Sequence, residues 1–229
     1  MIATQQFVFL HLHKSAGTFV NECLLCHCPE AIRIGYHLPR RLIPARFAQR
    51  PVLATVRNPW SYYVSWYAFQ SARPRPNALF TVLSDHGRLG FDGTIRNMLE
   101  LGNGSACLDA LLAVLPARYG DRGLNLPGCA LEPIRASGLG FYSYLHDYML
   151  GTDTVQVARM EYLREELLAA MIAAGVPVDS ALASRVRSAP RLNTSRHRDY
   201  ADYYDAALRD LVARRDRTLI ERYAYRFGD

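Results

Sequence analysis

The sequence predicts an α/β fold: a three-layer parallel sheet, a P-loop-like turn after its first strand, and a helical C-terminal part. Two observations carry this reading. Short apolar runs at residues 7–12 and 51–56 each end in a small polar segment that opens into a helix-compatible stretch. Strand, turn and helix in that order imply βαβ units with parallel pairing. The second observation is chemical. Of 27 basic side chains only Lys14 is a lysine. If Lys and Arg were interchangeable, the chance that it fell in the first turn would be roughly one in 27. They are not interchangeable where a compact charge must enter a tight anionic centre.

Each element has its own signal. Residues 6–12 and 31–34 read as short strands, and 51–56 has the unbroken apolar character of a strand covered on both faces. Asn58-Pro59 places an N-cap and a first-turn proline ahead of a helix through residue 71, and Arg73-Pro-Arg-Pro76 ends it. Residues 91–101 and 105–115 are expected to be helices, 120–140 a Gly/Pro-rich loop, and 141–150 an aromatic helix. Residues 154–158 form a strand, 161–174 an amphipathic helix closed by Gly175, and 179–188 another helix. Residues 200–223 read as one long charged helix, with an interruption left open. The helical tail is expected to pack on the sheet.

Length and composition bound the function. At 229 residues the chain suits one domain over 1–229. No apolar run reaches 18 residues, so no membrane span is expected, and the N-terminal segment does not resemble a signal peptide. A cytoplasmic protein is the default expectation. The net charge of +6 points to an anionic ligand, yet it is too dispersed for a nucleic-acid partner. Five cysteines, an odd number, read as reduced thiols. Cys23-Leu-Leu-Cys-His27 has the spacing of a haem attachment site, and with Cys28 a partial zinc set, but haem attachment needs export and zinc a fourth ligand, so the cluster reads as small packed thiols and no metal is expected.

Ligands in parallel sheets bind beyond the carboxyl ends of the strands. Three residues fall there: Lys14, His37 and Arg57. Around Lys14, the segment His13-Lys-Ser-Ala-Gly-Thr18 joins a basic charge to hydroxyls at Ser15 and Thr18, the small Ala16, and Gly17 for close backbone approach. A helix starting near Thr18 adds free amides and a positive dipole end. The Walker A order is absent, because Lys precedes the only glycine, and no strand ends in the Asp that would hold magnesium. In the second motif, Arg57-Asn-Pro-Trp-Ser-Tyr-Tyr-Val-Ser-Trp-Tyr67, Ser65 lies two helical turns beyond Asn58. Arg57 and Ser65 are therefore candidates to grip one anion, although a surface Arg and a helix-face Ser fit the pattern too.

Together the two motifs resemble those of the sulfotransferases that use 3′-phosphoadenosine-5′-phosphosulfate (PAPS). The Lys14 segment is similar to that family's 5′-phosphosulfate loop, and Arg57-Asn-Pro59 with Ser65 and Tyr67 to its 3′-phosphate motif. Residues 157–161, Leu192-Asn-Thr-Ser195, Tyr203 and Tyr223-Ala-Tyr-Arg-Phe227 resemble the later parts of the carbohydrate-type branch. The resemblance covers roughly residues 6–71 and 154–228. It implies sulfuryl transfer from PAPS to an acceptor hydroxyl of a glycan, glycolipid or small molecule. It places Lys14 at the leaving oxygen, Ser195 and Arg196 in the donor site, and residues 77–151 around the acceptor. His37 is the expected base, by its position after the second strand, unless it merely ends that strand. His146, Glu100 and Glu132 are weaker alternatives, and His11 reads as packing or positioning. A magnesium-dependent P-loop kinase of small molecules and a tyrosine- or phenol-directed sulfotransferase are the competing readings. The aromatics at Tyr62, Tyr63, Trp66, Tyr67 and Phe69 have the spacing of a helix core.

Overall fold

The computed structural model describes residues 1–120, 126–151, 154–190 and 197–229. In chain order the elements are β1 (Ile2–Ala3), β2 (Val8–Leu10), α1 (Gly17–His27), β3 (Ile32–Arg33), β4 (Val52–Val56), α2 (Pro59–Ser71), α3 (Ala78–Leu83), α4 (Phe91–Leu99), α5 (Ala106–Val114), α6 (Gly128–Leu131), α7 (Phe141–Leu150), β5 (Gln156–Arg159), α8 (Leu163–Ala173), α9 (Ser180–Ser188), α10 (Ala206–Arg215) and α11 (Arg217–Tyr223). The chain divides into two compact units, Met1–Arg57 with Met149–Thr194, and Asn58–Tyr148 with Ser195–Asp229.

The first unit is an α/β unit on a five-stranded sheet of order β3-β1-β2-β4-β5. Here the expectation of a parallel sheet needs correction. β2, β4 and β5 pair in parallel, but β1 pairs antiparallel with both β2 and β3, so the sheet is mixed. The cause is a tight reversal ahead of β2. Thr4 N–H donates to the Phe7 carbonyl, and the Thr4 hydroxyl bonds the Phe7 carbonyl and amide, closing a turn over Gln5 and Gln6. Two adjacent antiparallel pairings leave β3 running in the same direction as β2. The carboxyl ends of β2, β3, β4 and β5 therefore share one edge of the sheet.

β2 is shorter than the apolar run that announced it. Val8, Phe9 and Leu10 register with Val52, Leu53 and Ala54, and the chain leaves the sheet after Leu10. One face of the sheet is covered by α1, α8 and α9. Phe7, Phe9, Leu53 and Ala158 pack there with Phe19, Val20, Leu24, Leu167, Met171, Leu182 and Val186. Gly175 ends α8 with a positive φ of 76°, the left-handed conformation a helix C-terminus demands.

The second unit is helical. Asn58 caps α2, its side chain accepting from the Trp60 amide at 3.1 Å, with Pro59 at the first helical position. The expected loop over 120–140 instead contains, in its described part, α6 and a 3₁₀ turn over Glu132–Ala136. Ala130, Leu131 and Ile134 are fully buried there, so packing outweighs the Gly and Pro content. α3 was not signalled by periodicity. Its Asn77 cap, accepting from the Phe80 amide at 2.9 Å, is its local cause.

The long helix expected over 200–223, with an interruption left open, is interrupted. A 3₁₀ turn over Tyr200–Tyr203 precedes α10, which Asp205 caps by accepting from the Leu208 amide at 2.6 Å. Asp216 separates α10 from α11. It is fully buried and accepts the Tyr63 hydroxyl at 2.6 Å and the Ser143 amide at 2.8 Å, serving the first turn of α7. Burial raises its pKa above the ordinary carboxylate range. α10 packs on α2 and α4, so the C-terminal helices complete this helical unit. Tyr62, Tyr63 and Trp66 lie in its core, with Tyr62 stacked on Tyr142 at 3.7 Å. Among the described residues no helix is long and apolar enough to cross a membrane.

Candidate anion site at the carboxyl edge of the sheet

The Lys14 turn sits where the sequence places it, between β2 and α1. Lys14 and Ala16 have φ of 55° and 59°, while Ser15 between them does not have positive φ. Left-handed residues alternating with an ordinary one turn successive amides toward one side, as in anion-binding nests. Ala16 is the N-cap of α1 and makes no side-chain cap bond. The first amides of any helix lack intrahelical partners, so Gly17, Thr18 and Phe19 present donors at the positive end of an 11-residue helix.

The turn is anchored from below. Ser15 is buried, and its hydroxyl donates to the His13 carbonyl at 3.2 Å. Its own carbonyl accepts the hydroxyl of Thr55 on β4. Thr55 is the one hydroxyl in the otherwise aliphatic run of β4, and that contrast was the signal for its role. Arg57 follows β4 directly, and its Nη1 donates to the Lys14 carbonyl at 3.4 Å. Both side chains are half-buried. Burial first, and then the charge of Arg57, lower the Lys14 ammonium to about 8. Lys14 is still mainly charged at pH 7, so two cations converge on one turn.

Gly17 has a more specific cause than ligand approach. A Cβ there would lie 1.8 Å from Cδ2 of His11, so the imidazole already occupies that space. His11 is buried, and its Nδ1 shares a hydrogen bond with Asn21 Nδ2 at 3.1 Å, one turn into α1. Its carbonyl accepts from His37 Nδ1 at 2.8 Å. His11 thus joins the strand end, the helix and the His37 loop.

His37 stands beside the turn, as expected, although β1 separates β3 from β2. Its φ of 48° is left-handed. The ring stacks on His13, with centroids 3.7 Å apart and planes 15° apart, and lies 4.4 Å from His11. A carbonyl only accepts, so the proton of neutral His37 is on Nδ1, and the Nε2 lone pair is left as an acceptor. Burial lowers His37 to about 4, and the bond to the His11 carbonyl only partly opposes it. His11 and His13 are also pushed well below the ordinary range, chiefly by burial. All three rings are neutral at pH 7.

Ser65 is buried in α2, within the second unit. Ser195 and Arg196 lie outside the described residues. The alternative bases are engaged: His146 with the Tyr223 hydroxyl at 2.9 Å and Asp147 at 3.0 Å, Glu100 with Arg215, and Glu132 with Arg135. Arg159, at the end of β5, is ion-paired with Glu166. In the cysteine cluster Cys23 is buried, and its thiol is raised to about 11, chiefly by burial. Among the described residues no group of His, Cys, Asp and Glu is placed to hold a metal ion.

No family model, curated protein or solved structure matches the chain.

Proposed function

We propose that this chain is a PAPS-dependent sulfotransferase acting on an acceptor hydroxyl, with a glycan or glycolipid as the favoured class. The observation that carries the reading is the convergence at one sheet edge of a left-handed, uncapped Lys14 turn, Arg57, and a neutral His37 with a fixed tautomer. Lys14 and the helix amides suit a phosphate and sulfate chain, Arg57 suits a further phosphate, and the unprotonated Nε2 suits removal of a hydroxyl proton.

In the proposed reaction the acceptor oxygen forms a bond to sulfur while the bond from sulfur to the bridging oxygen breaks. The leaving electron pair stays on the 5′-phosphate, and the acceptor proton passes to His37 Nε2. No oxidant or reductant is needed. Lys14 meets the charge growing on the leaving oxygen, the kind of stabilisation that carries phosphoryl-type transfers. A base with a resting pKa of about 4 is weak. A polyanionic donor beside it raises that value toward neutrality, because a nearby negative charge favours the protonated form. The competing kinase reading calls for an acidic magnesium ligand at a strand end, where β4 and β5 instead lead to Arg57 and Arg159.

Arg57 is assigned to the 3′-phosphate. Arg57→Ala is expected to weaken 3′-phosphoadenosine-5′-phosphate by about 1.5–3 kcal/mol, the worth of a charge-assisted hydrogen bond. Adenosine-5′-phosphate should be weakened much less. Equilibrium binding of both nucleotides to wild type and variant checks it. An equal loss for both would remove the 3′-phosphate assignment.

A further inference from the structure

His13 is the member of the histidine cluster that the fold does not employ. Its side chain is buried, at 8% exposure, and neither ring nitrogen has a hydrogen-bond partner among the described residues. A neutral imidazole always carries one N–H. Leaving such a donor buried and unpaired costs about 1–3 kcal/mol, so an unsatisfied group of this kind calls for a cause. His11 and His37 provide the contrast, since each uses Nδ1 within the protein. His13 also directly precedes Lys14, and its carbonyl is held by Ser15, so it belongs to the turn itself.

We propose that His13 is a ligand-contacting residue that takes up a proton when an anion occupies the Lys14 turn, donating as an imidazolium to an anionic oxygen. This rests on the reading of the turn as a phosphate or phosphosulfate site. The groups around His13 explain why charge and ligand must arrive together. His37 is stacked on it, His11 lies 4.4 Å from His37, and Lys14 and Arg57 add two cations to the turn. Tyr36 lies against the His11 and His37 rings, with Arg33 over it. This set contains no carboxylate, and Lys14 brings a positive charge. A proton on His13 alone meets repulsion, and a proton paired with a bound anion meets attraction. Burial already holds the unliganded ring neutral.

Linkage makes the consequence measurable. If binding carries one proton to His13, affinity rises by up to tenfold for each pH unit lowered, between the unliganded and liganded pKa values. The stack also connects this event to His37, whose ring is 3.7 Å away. A charged His13 opposes protonation of His37, so it offsets part of the rise that the donor's negative charge produces there.

The test is calorimetric titration of 3′-phosphoadenosine-5′-phosphate into wild type and His13→Gln at pH 6, in two buffers of different ionisation enthalpy. Gln keeps an N–H donor but does not titrate, and subtracting the variant removes proton changes belonging to the nucleotide. Wild type is expected to take up close to one more proton per ligand than His13→Gln, and to gain more affinity between pH 7.5 and pH 6. A melting curve establishes that the variant is folded. If it is not, nitrogen NMR of the wild-type imidazoles serves instead, and His13 should shift to imidazolium values on ligand addition at pH 6. Binding with equal proton uptake in both proteins, or a His13 ring that stays neutral in the complex, overturns the proposal and leaves the anion site standing. Absence of binding in wild type at either pH overturns both.

Discussion

Lys14→Arg is expected to lower single-turnover sulfuryl transfer by about a hundredfold or more, as loss of a preorganised oxyanion donor does. The substitution keeps the charge, and Arg supplies every Lys or Arg position of this chain except Lys14. Shape decides the outcome. Lys14 adopts φ 55°, is half-buried, and has Arg57 bonded to its carbonyl. A planar guanidinium there points its donors along a fixed fork and crowds a second guanidinium, whereas an ammonium is compact and turns freely. Because the residue is half-buried, the variant should also melt lower than an exposed replacement would. Binding of the bisphosphate product separates the two effects. A variant that still binds the nucleotide but transfers slowly supports Lys14 at the leaving oxygen. A folded variant with wild-type turnover removes that role.

His37→Asn is the second large effect, expected to reduce turnover by about 10²–10⁴-fold while donor binding persists, the range for loss of a general base. Asn tolerates left-handed backbone, which φ 48° requires, and its amide can still donate to the His11 carbonyl. What it lacks is a lone pair that accepts a proton. The pH profile gives an independent check. His37 acts when neutral, so kcat/KM should rise with pH through about 4. Lys14 acts when charged, so kcat/KM should fall as pH rises through about 8. His37→Asn should lose the lower limb and keep the upper one, and Lys14→Arg the reverse. If His37→Asn turns over as wild type does, the base lies elsewhere.

What the sequence disclosed was local. The runs at β2 and β4, the Asn58-Pro59 helix start, and the Gly175 stop each depend on neighbours a few residues away. The position of Lys14 between strand and helix was legible for the same reason. Features that depend on distant partners were not. The direction of β1 follows from a turn closed by Thr4, and only pairing with β2 and β3 makes those two residues a strand. The break at Asp216 follows from Tyr63 and Ser143, both more than 70 residues earlier. Gly17 was readable as a close approach, but not that His11 is the group approaching. His37 reached the turn although its strand is not β2's neighbour, because β1 runs between two strands of common direction.

We propose that the Lys14 turn and Arg57 form a metal-independent site for the PAPS nucleotide. Its most direct test is calorimetry of 3′-phosphoadenosine-5′-phosphate with wild-type protein in chelator and again with magnesium, beside ATP with magnesium. The expected result is millimolar or tighter binding of the bisphosphate, unchanged by magnesium and tighter than ATP. At 100 times its dissociation constant the nucleotide should add about 2.7 kcal/mol of stability in a parallel melting experiment. Binding of ATP only with magnesium, and no heat or stabilisation from the bisphosphate, would contradict the claim and favour a phosphoryl-transferring enzyme.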